Sequence, residues 1–251
     1  MSADLSLRSR VIRELISWVW VALAFVLITG TIVQARVIPS ESMENTLLVG
    51  DHLLVSRLGY GVGLPFTHYQ VRLWREPHRQ QVVVFHAPIP GTDEDFIKRL
   101  IGLPGDRVKI VDKRVYVNDQ PQPEPFAYYG PGADFDPLLH KFPPTSRDEV
   151  PPNMDADWGN QILSYVHNGE LVVPPKSYFV MGDNREDSYD SRYWGFVPES
   201  DILGTPVLIY MSVDAPDDAW QPGQIRERMY AYLNAMLHPR LVRWHRLLKL
   251  F

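Results

Sequence analysis

The 251-residue chain contains no cysteine. That excludes a disulfide framework, a thiol nucleophile, an iron–sulfur cluster and any Cys-ligated zinc site. It leaves the redox compartment open. An excess of basic charge is also missing. Lys and Arg number 25 against 30 Asp and Glu, net −5, which disfavours a basic nucleic-acid binder. Apolar residues are 45% and charged residues 22%, a globular rather than a disordered balance. Familiar catalytic signatures are absent as well. There is no G-x-S-x-G elbow, no HExxH pair, no Walker A loop and no Ser-x-x-Lys on one helical turn. Gly59-Tyr60-Gly61-Val62-Gly63 lacks dinucleotide spacing and reads as a turn.

Long hydrophobic runs are scarce too, with one exception. Residues 15–35 hold 21 positions without a charge. As a helix they would span about 31 Å, matching a hydrocarbon core of roughly 30 Å. Trp18 and Trp20 lie near one end, where interfacial aromatics belong. The run exceeds the apolar region of a cleavable signal peptide, about 7–15 residues. Arg8, Arg10 and Arg13 precede it, and only Arg36 follows closely. The positive-inside rule then keeps residues 1–14 in the cytoplasm and sends residues 36–251 across. No second stretch approaches the length of a span.

The remainder reads as mainly β. Short runs rich in Val, Ile, Tyr and Phe recur at His52–Leu58, Gln81–Phe85, Val108–Val111, Arg114–Val117, Glu170–Val173, Tyr178–Met181 and Pro206–Val213. Asp112-Lys113 between two of them predicts a hairpin. Nine prolines fall between Pro121 and Pro152, too many for a central sheet; irregular loops are expected there. Residues 223–251 carry six basic side chains against Glu227. Their helical spacing around Met229, Leu233, Met236 and Leu237 predicts a helix, interrupted at Pro239. Two readings stay open for it: a helix packed on the body, or a basic amphipathic element on anionic lipid.

Three segments carry candidate chemistry: residues 39–47 (PSESMENTL), 96–106 (FIKRLIGLPGD) and 182–192 (GDNREDSYDSR). In the second, strand alternation puts Phe96, Lys98 and Leu100 on one face and Ile97, Arg99 and Ile101 on the other. Lys98 or Arg99 must therefore face apolar surroundings. Burial disfavours a charged ammonium and lowers a lysine pKa. A neutral lysine accepts a serine proton; an arginine does not. His78, His86 and His140 are the alternatives for a Ser-His pair. A lysine snorkelling from an exposed strand is the non-catalytic reading.

Taken in order, these segments resemble the bacterial type I signal peptidases, the Ser-Lys leader peptidases. The likeness rests on the span followed by Pro-Ser-x-Ser-Met-x-x-Thr-Leu, on Gly50-Asp51 with Tyr60-Gly61, and on Ile97-Lys98-Arg99 with Gly102-Leu103-Pro104-Gly105-Asp106. It is completed by Gly182-Asp183-Asn184-Arg185 with Ser188, Asp190-Ser191-Arg192 and Gly195. Together they cover about residues 15–213. Three positions depart from the family pattern: Asn45 stands where proline is usual, Gln80-Gln81 where Gly-Asp is usual, and Glu186 where Asp is usual.

The resemblance implies roles. Ser42 would be the nucleophile and Lys98 the general base. The Ser42 N–H and Ser40 hydroxyl would hold the oxyanion, and Ser188 would position the Lys98 amine. Asp190 and Arg192 would support the loop. Ile38, Pro39, Met43, Phe96 and Ile97 would wall a groove for an extended peptide, with two pockets for small side chains. It implies a membrane-anchored serine endopeptidase cutting secretory preproteins after Ala-x-Ala-like sites, without metal or cofactor. The setting would be the bacterial inner membrane, with lipid as neighbour and a monomer sufficing. The implied fold is an antiparallel β-sheet catalytic core (36–106 and 174–222) with an inserted β-rich lobe (107–173), behind one transmembrane helix (15–35). A Ser-Lys peptidase of other purpose and a non-enzymatic tethered β-domain are the competing classes.

Overall fold

The computed structural model describes residues 2–60, 62–63, 70–71, 76–130 and 136–251. Side chains are described for these, apart from residues 2–8, 26–31, 62–63 and 70–71. The side chains of 26–31 in the apolar run, together with Gly61 and Phe135, therefore lie outside the described residues. Helix α1 (Ser2–Thr31) contains most of the uncharged run. Its described side chains from Ser9 to Phe25 are all exposed, Trp18 by 68% and Trp20 by 65%. Among the described residues no helix is long and apolar enough to cross a membrane.

Among the described residues two antiparallel sheets and a small hairpin follow, with the short helices α2 (Pro137–His140), α3 (Ala156–Gln161) and α4 (Ser191–Trp194) between their strands and α5 (Ile225–Leu237) after them. The first sheet takes β1 (Val33–Val37), β2 (Asp51–Ser56), β5 (Val82–His86), β6 (Asp95–Gly102), β13 (Ser177–Met181), β14 (Val197–Pro198) and β15 (Ile202–Ser212). Its order is β1-β2-β15-β5-β6-β13-β14. The hairpin pairs β3 (Val62–Gly63) with β4 (Gln70–Val71). The second sheet holds β7 (Arg107–Val111), β8 (Arg114–Val117), β9 (Gln120–Pro121), β10 (Lys141–Phe142), β11 (Val166–His167) and β12 (Glu170–Val172). Strands β7 and β8 turn at Asp112 and Lys113, whose φ values are +46° and +65°. Two successive positive φ angles match the right-handed twist of the flanking strands.

Alternation decides the core. Along β7 the side chains read exposed, buried, intermediate, buried, exposed. Val108 and Ile110 thereby join Phe85, Leu100, Phe142, Trp158 and Phe179 in a cluster fed by both sheets. A second cluster gathers Ile38, Met43, Leu47, Leu53, Val84 and Ile209 beneath β1 and β2. Each such fully buried side chain contributes roughly 1.5–3 kcal/mol of transfer free energy.

The last long strand begins at Ile202, not near Pro206 as the apolar run suggested. Residues 202–204 pair with β5 and residues 205–212 with β2. Gly204 sits at this change of partner; a Cβ there would lie 2.2 Å from the Ser56 carbonyl oxygen. Glycine interrupts the hydrophobic pattern because backbone passes so close.

Helix α5 (Ile225–Leu237) forms as the spacing predicts, but it turns the other face inward. Met229, Leu233, Met236 and Leu237 are exposed, while Ala231 and Ala235 are buried against Trp220, Val49 and Val213. Small side chains allow the helix to approach the bulky indole closely. Beyond it the chain lies along β15. Leu248 N–H donates to the Ile209 carbonyl, and Arg243 N–H to that of Ser212. Arg246 reaches inward to pair with the fully buried Asp51 and donates to the Thr46 carbonyl at 3.0 Å.

Losing one partner of a buried ion pair strands the other charge. Arg246→Ala should therefore lower stability by about 3–5 kcal/mol. The Asp51→Ala/Arg246→Ala double variant should lose less than the sum of the singles. Denaturant midpoints of the four proteins check both.

Candidate active site

Ser42 lies in the short 3-10 turn Glu41–Met43 just after β1, and Lys98 lies in the middle of β6. Their sequence separation of 56 residues is closed by the sheet, which sets the Lys98 amine 2.5 Å from Ser42 Oγ. Both are buried, Lys98 at 5% exposure and Ser42 at 9%. Burial is the main force on the lysine pKa and lowers it to about 8, against attraction from Asp190. Phe96, on the same face of β6, places its ring 5.7 Å from the amine. Ser40 Oγ stands 3.4 Å from Ser42 Oγ.

Alternation sends Arg99 to the opposite face. Arg99 is buried too, and its guanidinium grips Asp183 at 2.7 and 2.6 Å. It also donates to the Gln80 carbonyl at 2.6 Å and covers the Phe126 ring at 3.9 Å. Asp183 in turn accepts from the Thr46 hydroxyl at 2.5 Å. This chain of contacts fixes the residues on either side of Ser42. Asn184 N–H donates to the Ser42 carbonyl at 3.2 Å. Nothing in the sequence pointed to the Arg99–Asp183 pair; alternation on β6 required only that Lys98 or Arg99 face apolar surroundings.

Asp190 caps the one-turn helix α4 (Ser191–Trp194) and is fully buried. It accepts from Gly182 N–H at 2.9 Å and from Arg192 Nε at 2.8 Å. Burial would raise its pKa, but the Arg192 guanidinium and that N–H hold it below the ordinary carboxylate value. Arg192 also pairs with Asp136 and donates to the Arg185 and Ser188 carbonyls. Ser188 is buried, and its hydroxyl has no hydrogen-bond partner among the described residues. Gly182 passes between these parts. A Cβ there would lie 2.2 Å from Ser188 Oγ and 2.4 Å from the Ser42 carbonyl oxygen.

A groove of about 880 Å3 opens on Ser42 and Lys98. Ile38, Pro39, Phe96 and Ile97 line it; Met43 does not, being wholly buried in the cluster below. Among the described residues strand β1 pairs only with β2, which leaves its other edge free of strand pairing there. On β6, pairing with β13 is confined to Arg99–Gly102, which frees the edge of residues 95–98. Arg36 of β1 and Asp95 of β6 form an ion pair across the groove, and His86 Nδ1 sits 2.8 Å from Asp95. Neither His78 nor His140 lines this groove.

The three departures are built into this frame. Asn45 has φ +81° and donates to the Phe126 carbonyl; proline, fixed near −65°, could not adopt that conformation. Gln80, at φ +67°, offers its carbonyl to Arg99. Glu186 pairs with Lys113 at 2.5 Å.

The sequence pattern of the family described as signal peptidase, peptidase S26, matches residues 12–211. The chain belongs to that family, as a serine protease of the signal peptidase I type. Signal peptidase I of Buchnera aphidicola, from the pea-aphid strain, is 31% identical over 84% of this chain and 79% of its own. That of Leptolyngbya laminosa is 34% identical over 73% and 71%. That of Pseudomonas fluorescens is 34% identical over 71% and 65%. A solved signal peptidase I from Enterococcus faecalis V583 is 27% identical, with a TM-score of 0.33 over 52% of this chain and 97% of that one.

Adding a methyl group at Gly182 should displace Ser42 or Ser188. For this S26 peptidase, Gly182→Ala should cut kcat by about a hundredfold, since misplacement of about 1 Å costs that much. Turnover beside a thermal melt separates this effect from unfolding.

Proposed function

We propose that the protein is a membrane-anchored endopeptidase that removes signal peptides from secretory preproteins. Ser42 is its nucleophile and Lys98 its general base. The observation that carries this reading is the buried Lys98 amine 2.5 Å from Ser42 Oγ, with a pKa lowered to about 8. Near neutral pH such a lysine keeps a useful fraction of free amine. Its lone pair takes the hydroxyl proton as Ser42 Oγ attacks the scissile carbonyl. The developing oxyanion accepts from the Ser42 N–H and the Ser40 hydroxyl. The C–N bond then breaks, and the Lys98 ammonium gives its proton to the leaving amine. Water attacks the acyl-enzyme, Lys98 takes one proton from it, and Ser42 regains its own as the signal peptide leaves.

The two free edges, β1 and residues 95–98, suit an extended peptide that adds to the sheet by main-chain hydrogen bonds. One face of β1 brings Ile38 against Leu53, Val84 and Ile97, and the Arg36–Asp95 pair closes the far end. A pocket so walled takes small side chains, in keeping with cleavage after small-x-small sites. The part of the uncharged run that lies in α1, residues 15–31, is the anchor in this reading, residues 33–35 having gone into β1 rather than into the expected helix. The outward-facing apolar side chains of α1 from Val11 to Phe25 would otherwise meet water. Basic residues on its first side keep residues 1–14 cytoplasmic. Ser42, eleven residues beyond the end of α1, then stays within about 40 Å of the membrane surface. Residues 36–106 and 174–222 form the catalytic unit, and 107–173 the inserted lobe. Asp190 and Arg192 hold the loop that carries Ser188, through the Arg192 contact to the Ser188 carbonyl.

The detergent-solubilised chain should cut a preprotein after the second Ala of an Ala-x-Ala site. Ser42→Ala and Lys98→Ala should not. Absence of cleavage by a folded wild-type chain would overturn the reading.

Two further outcomes are expected. Lys98→Arg keeps the charge but loses the base, and should lower kcat/KM by about 10²–10⁴-fold or more. Because the amine must be deprotonated, the rate should rise with pH and level off above about 8, as a pH–rate profile would record.

A further inference from the structure

The groove does not end at the small-residue wall. The same cavity continues past Val37 and Pro39 to His52, Tyr210, Trp220 and Tyr232, with Arg228 at its rim. This is the other face of β1. Val37 pairs with His52 across the sheet and packs against the cluster of Val49, Val213 and Trp220, whereas Ile38 faces Leu53 and Val84. The two faces of one strand thus line one cavity.

The aromatic side is firmly held. The His52 ring stands edge-on to Trp220 at 5.2 Å and to Tyr210 at 5.8 Å. The Gly50 carbonyl accepts from His52 Nδ1 at 2.9 Å, so Nε2 must accept from the Tyr232 hydroxyl, 2.7 Å away. Trp220 is 1% exposed and forms the floor; Tyr210 is 38% exposed and faces out. Arg228 is tied to the Trp220 and Gln221 carbonyls, and its Nε has no hydrogen-bond partner among the described residues. Gln221 donates to the Pro39 carbonyl at 2.8 Å, binding this wall to the strand that leads into Ser42.

An extended peptide on the free edge of β1 obeys the same alternation as the strand. If its two small residues point to the Ile38 face, the residue between them points to the Val37 face. We propose that Tyr210, Tyr232 and Arg228 form a subsite for a large aromatic side chain at the residue between the two small ones. An aromatic ring suits it: two tyrosine rings and a guanidinium offer ring–ring and cation–π contacts. The subsite deepens the peptidase reading and rests on it. None of the motifs that carry the family likeness includes Tyr210, Arg228 or Tyr232.

The test uses full-length protein in detergent and peptides with Ala-Gly-Ala, Ala-Phe-Ala, Ala-Trp-Ala and Ala-Asp-Ala sites. Wild type should favour Phe and Trp over Gly by about tenfold in kcat/KM, the size of one good aromatic contact. The Phe-to-Gly ratio should fall below about twofold in Tyr210→Ala and in Tyr232→Ala. Each ratio is taken within one enzyme sample, so loss of folded protein cancels. Equal cutting of all four peptides by wild type, or an aromatic preference that survives both substitutions, overturns the subsite but leaves the peptidase reading standing. Failure to cut any of them overturns both.

Discussion

A buried primary amine whose pKa is lowered to about 8 is the constraint around which this protein is arranged. An ammonium in water is strongly hydrated, and burying it costs more than one hydrogen bond returns. At Lys98 the sheet buries the side chain, sets it beside a phenyl ring and leaves the Ser42 hydroxyl 2.5 Å away. Asp190 draws the pKa back up, and Arg192 pushes it down. Those two groups neutralise one another at close range, so neither acts on the amine as a bare charge. A free carboxylate in that position would restore the charge on Lys98; an unpaired guanidinium would suppress it further.

A weakened charge at one point is surrounded by strong ion pairing at others. Arg99–Asp183, Arg192 with Asp190 and Asp136, Arg185–Glu124 and Arg246–Asp51 are all largely buried. Such pairs add little net stability over apolar residues of the same shape. Here they fix geometry: Arg99–Asp183 and Arg246–Asp51 each tie a loop or turn to a strand, and Arg185 and Arg192 tie the segment 182–192 to Glu124 and Asp136. Bidentate guanidinium–carboxylate contacts do this well, because a planar fork tolerates little rotation. Ser42 is thus held by backbone on a short turn, and the segments around it are held by arginines.

Much of this was legible in the sequence. Runs rich in Val, Ile, Tyr and Phe marked the seven strands β2, β5, β7, β8, β12, β13 and β15, and Asp112-Lys113 marked a turn. Alternation in Phe96–Ile101 implied that Lys98 or Arg99 is buried; the structure buries both, on opposite faces. Three things were not legible. The start of β15 was hidden because Gly204 breaks the hydrophobic pattern where a strand changes partner. The inward face of α5 was hidden because tight packing selects alanine, which a search for large apolar residues passes over. Arg246 read as one more basic residue in a positive segment. Nothing local tells a solvated arginine from one that finds a carboxylate 195 positions earlier.

That separation bears on the order in which the enzyme comes into being. Synthesis delivers Ser42 and the loop after it early, and Lys98 not long after. The guanidinium that fastens the loop to the body is delivered only when residue 246 leaves the ribosome. Closing so large a loop costs only slightly more entropy than closing a short one, so the delay is one of timing rather than of energy. Until then the loop after Ser42 is held through Asp183 and Arg99, and its second fastening comes only when that distant segment has folded back onto β2 and Thr46.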